Sequence, residues 1–216
     1  MNNKEKVIKF RDATIDKLME VVNIRPVIND EKFEKWFNYN YQISENEKNF
    51  FLNLIKKNRL YLSYYNEQKL SIKFIGPILN KVDFHFKDIF DWYGEEISCE
   101  INGFLLKGKP DFIIAKGIER PKNPFFFLQE YKRSLNATGN PENQVLAAML
   151  AAINLNNSNK IIGSFVIGRL WQFIILEKDK NNNYEYFVSN ILDSLKFVDL
   201  KQIYINLQAV KFLFYK

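Results

Sequence analysis

An alanine-rich helix set between two apolar strands constrains this 216-residue chain more than any other feature. Asn140-Pro141-Glu142 supplies an N-cap, a proline at the first helical position and an acid in the first turn, a combination that starts helices. The helix continues through Ala147, Ala148, Met149, Leu150, Ala151, Ala152 and Ile153. Its small side chains suit close packing on a sheet. The strongly apolar segment Phe125 to Lys132 precedes it, Ile161 to Gly168 follows it, and both read as strands. Two more strands come earlier, Ile97 to Leu106 and Lys109 to Ala115, the second closed by Gly117. Pro121 to Pro124 reads as a loop. Leu170 to Glu177 and Tyr184 to Val188 are further strands. Three strands in sequence followed by one crossover helix predict a mixed central sheet flanked by helices, an α/β fold.

The pattern changes near residue 82, and before it the chain reads helical. Val7, Ile8, Phe10, Ile15, Leu18 and Met19 recur at mixed three and four spacings over residues 4–22. Asn29-Asp30 can cap a short helix through Phe33, Trp36 and Phe37. Ser44 with Glu47 fits a capping box that opens a helix through Phe50, Phe51, Leu54 and Ile55. A further helix is predicted from Asn66 to Leu79, bent or ended by Gly76-Pro77. The last 25 residues read as helix, marked by Ile191, Leu195, Ile203, Leu207 and Phe212. The expected division is an N-terminal helical segment, residues 1–65, packed on a domain of residues 66–216 that ends in the C-terminal helix.

Composition removes several chemistries. One cysteine, Cys99, forbids an internal disulfide and any multi-cysteine zinc site. One histidine, His85, excludes paired-histidine hydrolysis and histidine-rich metal sites. Carboxylates, lysine, amides and hydroxyls remain as working groups. The N-terminus is polar and charged, unlike a signal peptide. No apolar run approaches the roughly 20 residues of a membrane span. A cytoplasmic protein with no membrane partner is the expectation, and the excess of Asn and Lys suggests a bacterial source. The net charge of +6 comes mostly from lysine, a point charge suited to phosphates more than to reading base edges.

Three segments carry candidate chemistry. Lys109-Pro110-Asp111 opens the second strand, and Glu130-Tyr131-Lys132 ends the third. Side chains alternate along a strand, so Glu130 and Lys132 share a face while Gln129 and Tyr131 take the other. Glu67, Leu70, Phe74 and Ile78 follow at steps of three and four, which places Glu67 on an apolar helical stripe where a carboxylate needs a partner. Two carboxylates can hold Mg²⁺, which prefers oxygen ligands. A neighbouring lysine can orient a water and stabilise negative charge. Phosphodiester hydrolysis uses such groups and needs no histidine.

Pro110-Asp111 followed by Glu130-Tyr131-Lys132 resembles the PD-(D/E)XK nuclease superfamily, the restriction-endonuclease-like fold, over residues 66–178. The segments at 67–79, 100–117, 125–134 and 143–152 resemble an uncharacterised bacterial family within it. The resemblance implies a core of helix, three strands, helix and strand, with an N-terminal helical extension. It implies Asp111 and Glu130 as metal ligands for Mg²⁺, with Mn²⁺ as a substitute, and Lys132 as the catalytic lysine. Glu67 is then the acid of the first core helix, and Gln144 a polar group beside the site that orients Lys132 or phosphate. The implied activity is a metal-dependent nuclease acting on DNA, with a homodimer as one arrangement for cutting both strands.

Other residues compete for these roles. Glu95, Glu96 and Glu100 are alternatives to Glu67 as the third acid. His85 reads as a packed or surface residue, Cys99 as a buried small hydrophobe, and Trp92 and Trp171 as core. Lys107, Lys109 and Lys116 can face phosphates or solvate a sheet rim. The rival function is a non-catalytic nucleic-acid-binding or protein-binding subunit of a defence or repair assembly with the same fold.

Overall fold

A computed structural model describes residues 6–134 and 139–214. The chain forms β1 (Lys6–Lys9), α1 (Ile15–Val21), β2 (Ile24–Pro26), α2 (Glu31–Phe37) and α3 (Glu45–Asn58). Then come α4 (Glu67–Leu70), a π turn (Ser71–Ile75) and α5 (Gly76–Asn80). β3 (Ile89–Trp92), β4 (Ile97–Ile101), β5 (Phe104–Gly108), β6 (Phe112–Lys116) and β7 (Lys122–Lys132) follow. α6 (Pro141–Leu155), β8 (Lys160–Ile167), β9 (Leu170–Lys178), β10 (Tyr184–Val188), β11 (Leu192–Asp193) and α7 (Phe197–Phe214) complete the order.

The main sheet runs β2-β10-β9-β8-β7-β6-β3, with β11 also paired to β9. β7 and β8 are parallel, joined by α6 as the crossover, and β10 and β2 are parallel too. The other pairs in this sheet are antiparallel, so the sheet is mixed, with helices on both faces. One face packs under α2, α3, α4, α5 and α7, around Trp36, Phe74, Phe112, Phe127, Phe173 and Leu207. The other carries α1 and α6, around Leu18, Ile113, Leu128, Leu146, Met149 and Ile174.

A second sheet, β1-β5-β4, lies on the far side of α6, with Ile8, Ile97, Ile101 and Leu106 in the same cluster as the helix. α6 is therefore enclosed by sheet on both sides, which explains why Val145 to Ile153 are all fully buried. A helix apolar all round has to be buried all round, and alanine lets both sheets approach closely.

Several elements differ from the sequence-based expectation, among them β2, a strand in the part read as helical, and β7, which begins within the expected loop at 121–124. Residues 6–9 are strand where helix was expected, because Val7 and Ile8 pair in parallel with Leu105 and Leu106 of β5. The helix starts only at Ile15, after the Thr14 hydroxyl accepts the Lys17 N–H at 3.3 Å. The expected strand over 97–106 is a hairpin. Asn102 and Gly103 both take positive φ, 51° and 78°, the two-residue turn that Asn-Gly favours. That hairpin belongs to the small sheet, and β3, absent from the sequence reading, pairs with β6 in its place. The C-terminal helix begins at Phe197, so Ile191 and Leu195 precede it.

The capping box is present. The Ser44 Oγ accepts the Glu47 N–H at 3.3 Å, and Glu47 Oε2 accepts the Ser44 N–H at 2.7 Å. The helix after Asn66 is interrupted by the π turn, whose Ser71 carbonyl accepts the Gly76 N–H. Pro77 has no N–H to donate, and a widened turn makes room for its ring. The inserted residue shifts the helical phase. Leu70, Phe74, Ile75, Ile78 and Leu79 are buried, while Glu67 stands partly exposed at the start of α4.

Candidate active site

Register brings the two acidic segments together. Phe112 of β6 pairs with Gln129 of β7, so Asp111, one residue earlier, lies beside Glu130. Ile113 and Leu128, in step with them, pack on the α6 face, and Asp111 and Glu130 open on that side. Gln129 points the other way, fully buried beside Ser164 of β8. A bulge at Phe126, where Ala115 pairs with Phe125 and Ile114 with Phe127, keeps this alternation in phase at the end of β7.

The Asp111 and Glu130 carboxyl groups hydrogen-bond each other. Asp111 Oδ2 also accepts the Tyr131 N–H at 2.8 Å. Glu130 is only 3% exposed. Burial and the adjoining Asp111 charge push its carboxyl well above the ordinary carboxylate range, and Lys132 opposes this. Burial raises Asp111 as well, against the Tyr131 N–H, Glu130 and Lys132. Two carboxylates at this separation and depth do not both ionise without a counter-charge.

Lys132 Nζ lies 3.3 Å from Glu67 Oε1, with the lysine side chain 14% exposed. Glu67 thus has a partner, the lysine, and its charge is felt by both Asp111 and Glu130. Tyr131, on the opposite face of β7, meets the Ser71 hydroxyl at 2.9 Å, which ties the π turn to this strand. Burial raises the Tyr131 hydroxyl to about 12.

Asp111, Glu130, Lys132 and Gln144 line one cleft of about 440 Å³, together with Lys9, Phe10, Arg11, Glu96, Lys107, Gly108 and Lys109. Gln144 is 3% exposed, and its Nε2 donates to the Arg11 carbonyl at 3.4 Å. That bond reaches the segment after β1 rather than Lys132. Among the three alternative acids, Glu96 lines the cleft and Glu95 and Glu100 do not. Lys107 and Lys109 face into it, whereas Lys116 pairs with Asp88 at 3.3 Å near the other end of β6. His85 stacks on Phe90 with ring centroids 4.5 Å apart, outside the cleft. The Cys99 thiol is raised by burial and by Glu100, so it is no thiolate nucleophile.

Lys9, Phe10 and Arg11 escaped the sequence reading, since a helix over 4–22 gave them no route to the site. The Asn102-Gly103 turn was the available signal, because a hairpin there frees an edge for β1.

Among the described residues, no group of three or more His, Cys, Asp or Glu side chains is gathered as a metal site. The donor set that is present is the Asp111–Glu130 pair. It suits a hard divalent cation, which takes a few carboxylate oxygens and completes its shell with water and substrate. A cation there supplies the counter-charge that burial demands. No protein-family model and no curated protein matches the chain.

Proposed function

We propose that this chain is a metal-dependent nuclease of the PD-(D/E)XK superfamily that hydrolyses phosphodiester bonds in DNA. One observation carries the reading: two buried carboxyl groups in mutual contact, with a lysine two residues along on the same strand face, at the floor of a cleft rimmed by cations. The succession of helix, β3, β6, β7, α6 and β8 supports it, as a helix, three strands of the main sheet, a crossover helix and a parallel strand.

Asp111 and Glu130 would hold Mg²⁺ or Mn²⁺. Bound there, the cation acidifies a coordinated water and offsets charge on the phosphate. Lys132 projects its ammonium into the same cleft, where it can hold the attacking water and stabilise negative charge on the phosphate oxygens. Glu67 anchors that ammonium from the start of α4. Gln144 holds the Arg11 backbone against the cleft. Burial strengthens each of these interactions relative to water.

The competing reading is a non-catalytic binding subunit. It is favoured by the small number of acids that converge. Purified Glu130→Ala and Lys132→Ala proteins, assayed on single-stranded and plasmid DNA with Mg²⁺, are expected to lose at least a hundredfold in cleavage with unchanged circular dichroism. Cleavage by both variants at the wild-type rate sinks the nuclease assignment. Calorimetry with Mn²⁺ that detects no binding to wild type favours the binding subunit.

A further inference from the structure

The rim of the cleft is built by a segment outside the catalytic strands. β1 lies in parallel against β5, with Lys9 the register partner of Lys107. Neighbouring strands run about 4.8 Å apart, so the two ammonium stems start side by side on one face. Both line the cleft, as do Arg11 just beyond β1 and Lys109 just beyond β5. Like charges directly across a strand pair are unfavourable. Yet among the described residues none of Lys9, Lys107 or Lys109 has a carboxylate within ion-pairing distance. Arg11 touches Asp12 at 3.7 Å, but both side chains are more than half exposed, a contact of little strength. Five cations, Lys9, Arg11, Lys107, Lys109 and Lys132, line the cleft against three acids, Glu96, Asp111 and Glu130, so its lining carries a positive surplus.

The wall is held firmly. Ile8 and Phe10 are buried, 8% and 2% exposed. The Phe10 ring packs on Gly108 so closely that a Cβ there would come within 2.7 Å of it. Gln144 holds the Arg11 carbonyl from α6. Four cations are therefore fixed along one side of the approach to Lys132.

We infer that the β1–β5 wall, through Lys9, Arg11, Lys107 and Lys109, binds consecutive phosphates of a single nucleic-acid strand and leads it to Lys132. The inference rests on the nuclease reading for what happens at the floor of the cleft, but its binding surface is independent of cutting. The single strand follows from size. A sphere of about 440 Å³ is about 9 Å across, and a duplex is wider than its own major groove of roughly 12 Å. Glu130 lies at the bottom of that space, 3% exposed. One strand can enter, and an intact duplex stays at the rim.

The test is binding of a short fluorescein-labelled single-stranded DNA in EDTA, which suppresses cutting, followed by anisotropy over a salt series. Wild-type affinity is expected to fall steeply with salt. Lys9→Ala and Lys107→Ala are each expected to weaken binding several-fold and to reduce the slope of log K against log salt by about 0.7, the value for one phosphate on a single strand. Lys180→Ala serves as the control. Lys180 follows β9, whose antiparallel run against β8 puts it at the opposite end of the sheet from Lys132, and it is expected to bind as wild type. Thermal melting verifies that each variant is folded. Wall variants that match Lys180→Ala in affinity and slope overturn the inference, and so does an unlabelled duplex that competes as well as the single strand. Failure of the nuclease reading is recognised separately, by cleavage of single-stranded DNA that survives in Lys132→Ala, and leaves the binding result standing.

Discussion

At the scale of single residues, the half-buried Glu47 carries a heavily bonded carboxylate. Burial alone would raise it, yet the Tyr204 hydroxyl, the Ser44 N–H and hydroxyl and the Tyr41 hydroxyl hold it down to about 2. Those bonds join α3, the loop before it and α7. The Ser44 contacts, at 2.7 Å each, close the capping box of α3, and Tyr204 brings α7 onto it. The carboxylate is the form that accepts these hydrogen bonds. A folded value below the ordinary 4.5 means that the unfolded state binds more protons as the pH falls between them. The stability contributed by Glu47 is thus fully present above pH 4.5 and is lost as pH falls toward 2. Glu47→Gln is expected to lower stability at neutral pH by about 1 kcal/mol, as for a lost cap discounted for solvent screening. It also flattens the acid limb of the melting-temperature profile below pH 4.5. A Glu47→Gln profile parallel to wild type across that window counts against the assignment.

At the scale of elements, the decisive contact is between β5 and the turn after β1. Gly108 has no side chain where the Phe10 ring sits, and a Cβ would meet three ring and side-chain atoms at 2.7–2.8 Å. Gly108→Ala is expected to destabilise the protein by about 1–3 kcal/mol, the usual cost of overpacking, read from urea midpoints. A wild-type midpoint would mean that the Phe10 ring moves aside freely. The same contact explains a failure of the sequence pattern. Val7, Ile8 and Phe10 have spacings that fit a helix as well as a strand, and only the edge of β5 selects the strand. The Asn102-Gly103 turn, by contrast, was a local signal that the strand reading of 97–106 passed over. Its two positive φ angles are a local demand that asparagine and glycine meet by themselves. The capping box at Ser44 and the Asn-Pro-Glu start of α6 were legible, since each is satisfied within one turn of chain.

At the scale of the whole molecule, the proposed ion site is tied to folding through the acid pair. Asp111 comes from the start of β6 and Glu130 from the end of β7, so their proximity exists only in the folded sheet. A cation that binds the pair stabilises the folded state through mass action, by about 2.7 kcal/mol at a hundred times its dissociation constant. Mg²⁺ or Mn²⁺ is therefore expected to raise the wild-type melting temperature by several degrees. Glu130→Gln, which keeps shape and removes a ligand charge, is expected to melt at the same temperature with and without the ion. Equal shifts in both proteins would place the cation elsewhere. The parts of this site that were readable were the chemical types and their strand phase, since alternation along β7 puts Glu130 and Lys132 on one face whatever surrounds them. Glu67 was readable as an acid in need of a partner, but the lysine partner was not, because the π turn resets the helix phase.

The sequence by itself determined the α/β class, the crossover helix and its flanking strands, and the strand positions of Glu130 and Lys132, while Asp111 stands one residue before β6 rather than inside a strand from Lys109. These depend on local propensity, capping and two-residue alternation, which act over a few residues. Only the tertiary structure decided that α6 lies between two sheets, that β3 rather than the β4–β5 hairpin pairs with β6, and that Lys9 and Arg11 reach the cleft. Those outcomes depend on which strand edge a short apolar segment finds, and that choice is made by packing between residues nearly a hundred positions apart, as Ile8 meets Leu106.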